Sequence, residues 1–107
     1  MSKGIGDIGN IMKQAQELQE RLAQVQAEAG NKTVEGSAGG GMVKAVVNGR
    51  LEVVGLRIER QVVEGGDLEM LQDLVVAAIN QGIRAAQKMM AGEMSKVTGG
   101  LNIPGLT

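Results

Sequence analysis

The sequence predicts an α+β domain in which a long helix, a three-stranded antiparallel sheet and a second long helix follow one another. Two stretches with apolar residues at helical spacing flank a central stretch in which apolar and polar residues alternate. The chain has 107 residues, 43% of them hydrophobic, and a typical domain has about 100 to 150 residues. We therefore expect a single domain over 1–107.

The first helix is expected over 7–29, where good helix formers run without proline. Its apolar residues are spaced alternately three and four apart: Ile8, Ile11, Ala15, Leu18, Leu22, Val25 and Ala29. This period of 3.5 residues indicates a stripe that packs along another helix. Gly30 and Asn31 supply the stop signal.

The sheet is expected over 33–60, where β-branched residues dominate and the period becomes two. Three short strands are predicted, with sequences TVEGSA, MVKAVV and LEVVGLRIE. Asn48-Gly49 predicts a tight hairpin because both residues tolerate the positive φ of a type I′ turn. The alternation places a core side on each strand, formed by Val43, Ala45 and Val47 on the second and by Val54, Leu56 and Ile58 on the third.

The second helix is expected over 67–96, with Asp67 as its N-cap. Its apolar stripe is wider than that of the first helix, which favours packing on both the sheet and a helix. The glycine-rich segment 97–107 is expected to be a flexible tail. Helices of this length run about 30 to 45 Å, whereas a compact chain of this size has a radius of gyration near 13 Å. The helices should therefore project, and a homodimer would cover their apolar stripes.

The composition excludes several classes of chemistry. The chain has no His, no Cys and no aromatic residue, so imidazole bases, thiolates, disulfides, the usual zinc sites and aromatic base-stacking platforms are ruled out. Ser37 and Ser95 lie beside glycines or near the tail and form no catalytic arrangement. We expect no enzyme activity, no cofactor, no metal and no small-molecule substrate.

The sequence also lacks membrane and secretion signals. No run of 18 apolar residues is present, and the first dozen residues are interrupted by Gly and Asp. We expect a cytoplasmic protein without a membrane partner. The string G-x-G-x-x-G at Gly4 to Gly9 has no strand before it and does not indicate a nucleotide site.

The formal net charge is −1, so the chain as a whole is not basic. Binding to nucleic acid would therefore require a local surface of basic residues. Packing the two helices antiparallel would bring the end of the second near the beginning of the first. Five basic residues would then gather at one extremity as candidate phosphate contacts: Lys3, Lys13, Arg84, Lys88 and Lys96. An ordinary solvated surface is the alternative interpretation of these charges.

Several motifs together resemble the YbaB/EbfC family of bacterial nucleoid-associated proteins. They are Ile11 to Gln16, Gly39 to Ala45 with Asn48-Gly49, Asp67 to Asn80, and Met94 to Gly105. The resemblance implies a tweezer-like homodimer that binds double-stranded DNA and takes part in nucleoid organisation and gene regulation. Ile58-Glu59-Arg60 departs from the family's frequent Ile-Asp-Pro and affects only a loop.

Two other functions fit the same outline. A prefoldin-like holdase also carries projecting helices, and the Met-rich end of the second helix would suit unfolded clients. A protein-interaction scaffold without direct DNA binding is the other alternative. If phosphates are the contacts, we expect a weak or shape-based sequence preference, because phosphates carry no base information.

Overall fold

The computed structural model describes the backbone of residues 2–99 and the side chains from Ile8 to Gly99. Its elements are α1 (Ser2–Gly30), β1 (Thr33–Ala38), β2 (Val43–Asn48), β3 (Val53–Ile58), α2 (Arg60–Glu64) and α3 (Leu68–Thr98), with a 3₁₀ turn at Gly39–Gly41 between the first two strands. The order of helix, antiparallel sheet and long helix is as predicted from the sequence. Gly4 to Gly9 lies inside α1.

The element bounds differ from the predicted ones at three places. α1 begins at Ser2 rather than at residue 7. The sheet ends at Ile58 rather than at residue 60, and α2, which was not predicted, follows it with Val62 buried. Five residues are too few to display a helical period. α3 continues to Thr98, into the segment expected as tail, and the remainder of that tail from residue 100 lies outside the described residues.

The three strands form an antiparallel sheet in the order β1-β2-β3. The predicted hairpin is present, but its turn is not the expected type I′ turn on Asn48-Gly49. Asn48 ends β2, its side-chain Oδ1 accepts hydrogen bonds from the backbone N–H of Arg50 and Glu52 at 2.9 and 3.0 Å, and Leu51 has the positive φ of 64°. The Asn48 side chain therefore organises a four-residue loop.

α3 covers one face of β1 and β2, and the core lies between them. Val43, Ala45 and Val47 are fully buried, as predicted, against Ala78, Gly82 and Ala86 of α3. The small residues of α3 therefore allow this helix to lie close to β1 and β2. A Cβ on Gly82 would lie 2.7 Å from Val47 Cγ2, and one on Gly36 of β1 would overlap the α3 backbone.

The expected core side of β3 is only partly confirmed: Ile58 is half-buried and packs against the core around Val43, whereas Val54 and Leu56 are exposed. Leu56 is 47% exposed, although it pairs with the buried Ala45 and shares its face. Val54 is 56% exposed because a bulge interrupts the register, so that Val46 pairs with Gly55 and Val47 with Val53. The bulge adds one residue to β3 and disrupts the alternation on which the prediction depended.

α1 is attached through its last turns to the sheet and α3, which together we call the body. Ala29 is buried, and Gly49 fits without a side chain between the Ala29 carbonyl and Met90 of α3. Two helices of 29 and 31 residues are each about 45 Å long, and the molecule measures 78 × 25 × 17 Å. The two helices therefore run antiparallel with only their C-terminal ends side by side, and α1 projects. The radius of gyration of 21.3 Å, against about 13 Å for a compact chain, confirms the predicted projection.

Candidate nucleic-acid interface

The outward side of α3 carries two basic side chains. Arg84 and Lys88 lie one turn apart and are exposed, and each is two residues from Ala86, about 200° around the helix from this sheet-facing residue. Between Asp73 and Glu93, α3 has no other charged residue. Among the described side chains, no carboxylate pairs with either of them. This stretch of α3 is therefore a local positive surface on a chain of net negative charge.

A second group of charges lies where α1 meets β1. Lys32 Nζ is 2.7 Å from Glu93 Oε1, and Lys96 Nζ is 3.8 Å from the same oxygen. The hydrogen bond from Lys32 lowers the pKa of Glu93, and the positive charges of Lys32 and Lys96 act in the same direction, while partial burial opposes them. Glu93 is thus a carboxylate held between two lysines, and it offsets part of the positive charge there.

Lys32 was not among the sequence candidates. It lies 61 residues from Glu93 in the chain, and sequence spacing gives no sign of a contact over such a separation. Its charge becomes part of the same surface as Lys96 only because β1 starts beside the C-terminal part of α3. The ion pair makes Lys32 a residue that holds α1 to the body.

Arg50, in the β2–β3 loop, strengthens the joint between α1 and the body. Its Nη1 donates to Asn31 Oδ1 at 2.8 Å, directly after α1, and its Nε lies 3.0 Å from Glu52 Oε1. Hydrogen bonds from Asn48 and then Arg50 lower the pKa of Glu52. The end of α1 is therefore connected both to the loop and to α3.

The structure does not bring the predicted basic residues together at one extremity. Lys13 lies 16 residues before Ala29, about 24 Å along α1, whereas Arg84 lies six residues before Met90, about 9 Å the other way. Lys88 and Lys96 fall between them, so the exposed candidates follow the long axis over about 33 Å. Lys3 belongs to α1, but its side chain lies outside the described residues.

The molecule is thus an α+β protein in which a projecting helix is joined to a small sheet, with exposed basic side chains on both long helices. A family model described as the YbaB/EbfC DNA-binding family matches residues 3–101, and the chain belongs to this family. The resemblance stated from the sequence motifs is confirmed.

Relatives with similar sequences support the assignment over almost the whole chain. A nucleoid-associated protein of Syntrophobacter fumaroxidans is 57% identical over 106 residues, covering 99% of this chain and 93% of the relative. A nucleoid-associated protein of Caldanaerobacter subterraneus is 56% identical over 100 residues, covering 94% and 90%.

The fold is shared with a solved structure. The crystal structure of an uncharacterized protein from Helicobacter pylori matches with a TM-score of 0.66 at 24% identity, covering 77% of this chain and 86% of that one. At this identity the similarity supports the fold alone.

Over residues 2–99, neither long helix offers an apolar stretch sufficient to cross a bilayer.

Proposed function

We propose that this protein is a nucleoid-associated protein that binds double-stranded DNA through phosphate contacts and contributes to nucleoid organisation and gene regulation in the bacterial cytoplasm. The observation that carries the proposal is the acid-free stretch of α3 that presents Arg84 and Lys88. Membership of a DNA-binding family supports duplex DNA as the anionic partner.

The contact set comprises the five sequence candidates, Lys3, Lys13, Arg84, Lys88 and Lys96. The exposed candidates extend over about 33 Å, close to one turn of duplex DNA at about 34 Å. Cations spread over this length can meet backbone phosphates along one turn of a duplex without entering a groove. Such contacts position a protein without reading bases, so the sequence preference is weak or depends on DNA shape.

The proposal includes a homodimer with a tweezer-like outline. Exposed apolar side chains lie on β3, on α2 and at the first residue of α3. Their exposure ranges from 43% for Val53 to 66% for Leu68, with Leu56 and Val63 between. Exposed apolar patches of this kind mark interaction sites. We name these four residues the sheet-side patch and assign the dimer contact to it.

The test is equilibrium binding to a labelled duplex of about 30 base pairs, followed by anisotropy between about 50 and 200 mM salt. Replacing Arg84 and Lys88 by Gln removes two positive charges per protomer. We expect weaker binding and a salt slope shallower by about 0.9 for each phosphate that the variant no longer neutralises. The matched control replaces Lys44 and Arg57, a cross-strand pair of the sheet, by Gln and removes the same charge.

Two outcomes would contradict the proposal. Absence of saturable binding at low salt would exclude a duplex-binding protein. An equal decrease of affinity in the control would indicate that net charge, rather than contact through α3, determines binding.

A holdase remains the second candidate because Ile8, Ile11 and Met12, in the projecting part of α1, are 59 to 63% exposed. Suppression of client aggregation by a protein without affinity for DNA would favour it over the nucleoid function.

A further inference from the structure

The face of the sheet that points away from α3 carries polar and charged side chains. Val43, Ala45 and Val47 of β2 are buried on the side of α3. Lys44 and Val46 alternate with them along the strand, so they lie on the opposite face. We call this second face the outer face of the sheet.

Three polar side chains form a row across the outer face, one from each strand. Lys44 pairs with Ser37 of β1 and with Arg57 of β3, and directly paired residues have Cβ atoms about 4.5 to 5.5 Å apart. Ser37 and Arg57 are exposed, and Lys44 is half-buried. We name these three residues the outer row. A hydroxyl, an ammonium and a guanidinium group thus lie side by side on strands, which hold side chains more precisely than loops do.

The two positive charges of the outer row have no counter-charge in contact with them. Like charges directly opposite each other on neighbouring strands are destabilising. Over residues 8–99, no carboxylate forms an ion pair with Lys44 or Arg57. Glu35 pairs with Val46 and is therefore a diagonal neighbour of Lys44, a relation in which residues are about 7 to 8 Å apart. A bound anion would remove the repulsion within the row.

A cavity of about 200 Å³ adjoins the outer row. Its lining residues are Glu35, Lys44, Val46, Gly55, Leu56 and Arg57. Gly55 leaves this space open, because a Cβ there would meet only Val46, at 3.6 Å. Cavities for drug-sized ligands measure about 300 to 1,000 Å³, so this one has room for a smaller molecule.

We propose that the outer row binds the phosphate group of a small phosphate monoester. Such a group carries about −1.5 to −2 charges at neutral pH, which matches the two cations, whereas a carboxylate carries one. The Arg57 guanidinium can donate two parallel hydrogen bonds to phosphate oxygens, and Lys44 supplies a point charge. The Ser37 hydroxyl donates to the third oxygen.

The rest of the cavity limits what can be attached to that phosphate. Val46 and Gly55 offer an apolar floor beside the outer row, and Glu35 lies at the far border. The Glu35 carboxylate repels a second anionic group, so the ligand has one phosphate and an uncharged remainder.

This site is separate from the proposed DNA contact and goes beyond it. Arg84 and Lys88 lie on the side of α3 that faces away from the sheet, whereas the outer row lies on the side of the sheet that faces away from α3. Two layers of structure separate the two groups of cations. The variant in which Gln replaces both Lys44 and Arg57 should therefore lose phosphate binding and keep its affinity for duplex DNA.

The experiment is an NMR titration of the full chain with inorganic phosphate and, separately, with glycerol phosphate, at an ionic strength held constant with sodium chloride. The backbone amide signals of the outer row report binding. Replacing Lys44 and Arg57 by Gln should raise the dissociation constant at least tenfold. The matched control, with Gln in place of Arg84 and Lys88, removes the same charge and should bind as the parent does.

Glu35→Gln removes the repelling carboxylate and should bind phosphate more tightly, by threefold or more. Glycerol phosphate should bind the parent at least as tightly as inorganic phosphate does.

Four results would overturn the proposal. They are the absence of saturable shifts at the outer row, an equal loss of binding in the control, binding of acetate as tight as that of phosphate, and tenfold weaker binding of glycerol phosphate. The third would assign the row to carboxylates, as in an acidic peptide, and the fourth would show that the cavity admits free phosphate only.

The repulsion within the outer row can be measured by itself. In phosphate-free buffer of low ionic strength, Arg57→Gln should melt about 1 to 4 °C above the parent, because one of two opposed like charges is gone. Added phosphate should raise the melting temperature of the parent more than that of this variant. Lys13→Gln, which removes a single charge from the exposed part of α1, should not raise it. A variant Arg57→Gln that melts at or below the parent's temperature contradicts the proposed site.

Discussion

Gly36 illustrates how little space separates β1 from α3. A Cβ there would overlap the carbonyl of Ala78 and the backbone of Gly82, so only a residue without a side chain allows the strand and helix to approach. The same pair of elements is joined by a hydrogen bond from the Ser37 N–H to Gln81. At this position the requirement for glycine comes from packing, since its φ is not left-handed.

Substitution of Gly36 by Ala should therefore destabilise the fold. Forcing a methyl group into a packed interface costs about 1 to 3 kcal/mol, and the overlapped atoms here belong to the backbone. Urea unfolding followed by circular dichroism measures the change in the free energy of unfolding. Gly55→Ala is the control, because its Cβ would meet Val46 at an ordinary 3.6 Å. Equal destabilisation of both variants would contradict the packing argument.

At the scale of elements, the joint between α1 and the body depends on ionised side chains. Glu93 and Glu52 both have lowered pKa values, through hydrogen bonds from Lys32 in one case and from Asn48 and Arg50 in the other. A carboxyl group with a lowered pKa in the folded state contributes stability above its unfolded pKa, and this contribution is lost as the pH falls through the folded value.

Stability should accordingly decrease as the pH falls below about 4.3, the ordinary pKa of Glu. Thermal unfolding of the parent and of Glu93→Gln, measured between about pH 7 and pH 3, tests the cause. The variant lacks the titrating group and should show a smaller pH dependence, with a less stable joint near neutral pH. Glu17→Gln, on the projecting part of α1, serves as control, and a Glu93→Gln profile parallel to that of the parent would exclude the ion pair as the cause.

At the scale of the whole molecule, the outer part of α1 contributes little to the stability of the body. Residues 8–17 are all exposed, whereas packing against the body begins at Leu18. Hydrophobic stabilisation follows the apolar area removed from water, and these residues remove little in the single chain.

Deleting residues 1–16 should leave the melting temperature of the dissociated chain nearly unchanged while lowering its radius of gyration from 21.3 Å. Circular dichroism melting and small-angle X-ray scattering at low protein concentration measure the two quantities. Deleting residues 1–25 also removes Leu18, Leu22 and Val25, and it should lower the melting temperature clearly. A large decrease of stability in the shorter deletion would show that the projecting segment packs on the body.

Predictions made from short-range sequence patterns are confirmed for the buried side of β2 and for the N-cap of α3. Val43, Ala45 and Val47 alternate with other residues and are buried, and Asp67 caps α3 through a 2.9 Å hydrogen bond from the Met70 N–H. The third strand was interpreted less well. Its bulge at Val54 shifts the register against β2, and a single-strand pattern contains no information on its neighbour.

In the candidate site, too, local spacing predicts some features and contacts between distant residues decide others. That Arg84 and Lys88 share an outward face follows from helical spacing alone, whereas the pairing of Lys32 with Glu93 requires two ends of the chain to meet. The gathering of five charges at one extremity was inferred from two antiparallel helices in full overlap. The actual overlap is short, because Ala29 docks near Met90, close to the end of α3, rather than near its beginning.

The sequence by itself determined the order of the elements, the core side of β2, the family and the heptad stripe of α1, because periodicity and local motifs are properties of neighbouring residues. Only the tertiary structure decided where α1 attaches, how far it projects and which apolar faces remain uncovered. Those features depend on close backbone approaches at Gly36, Gly49 and Gly82, where residues distant in the chain meet and the absence of a side chain sets the distance.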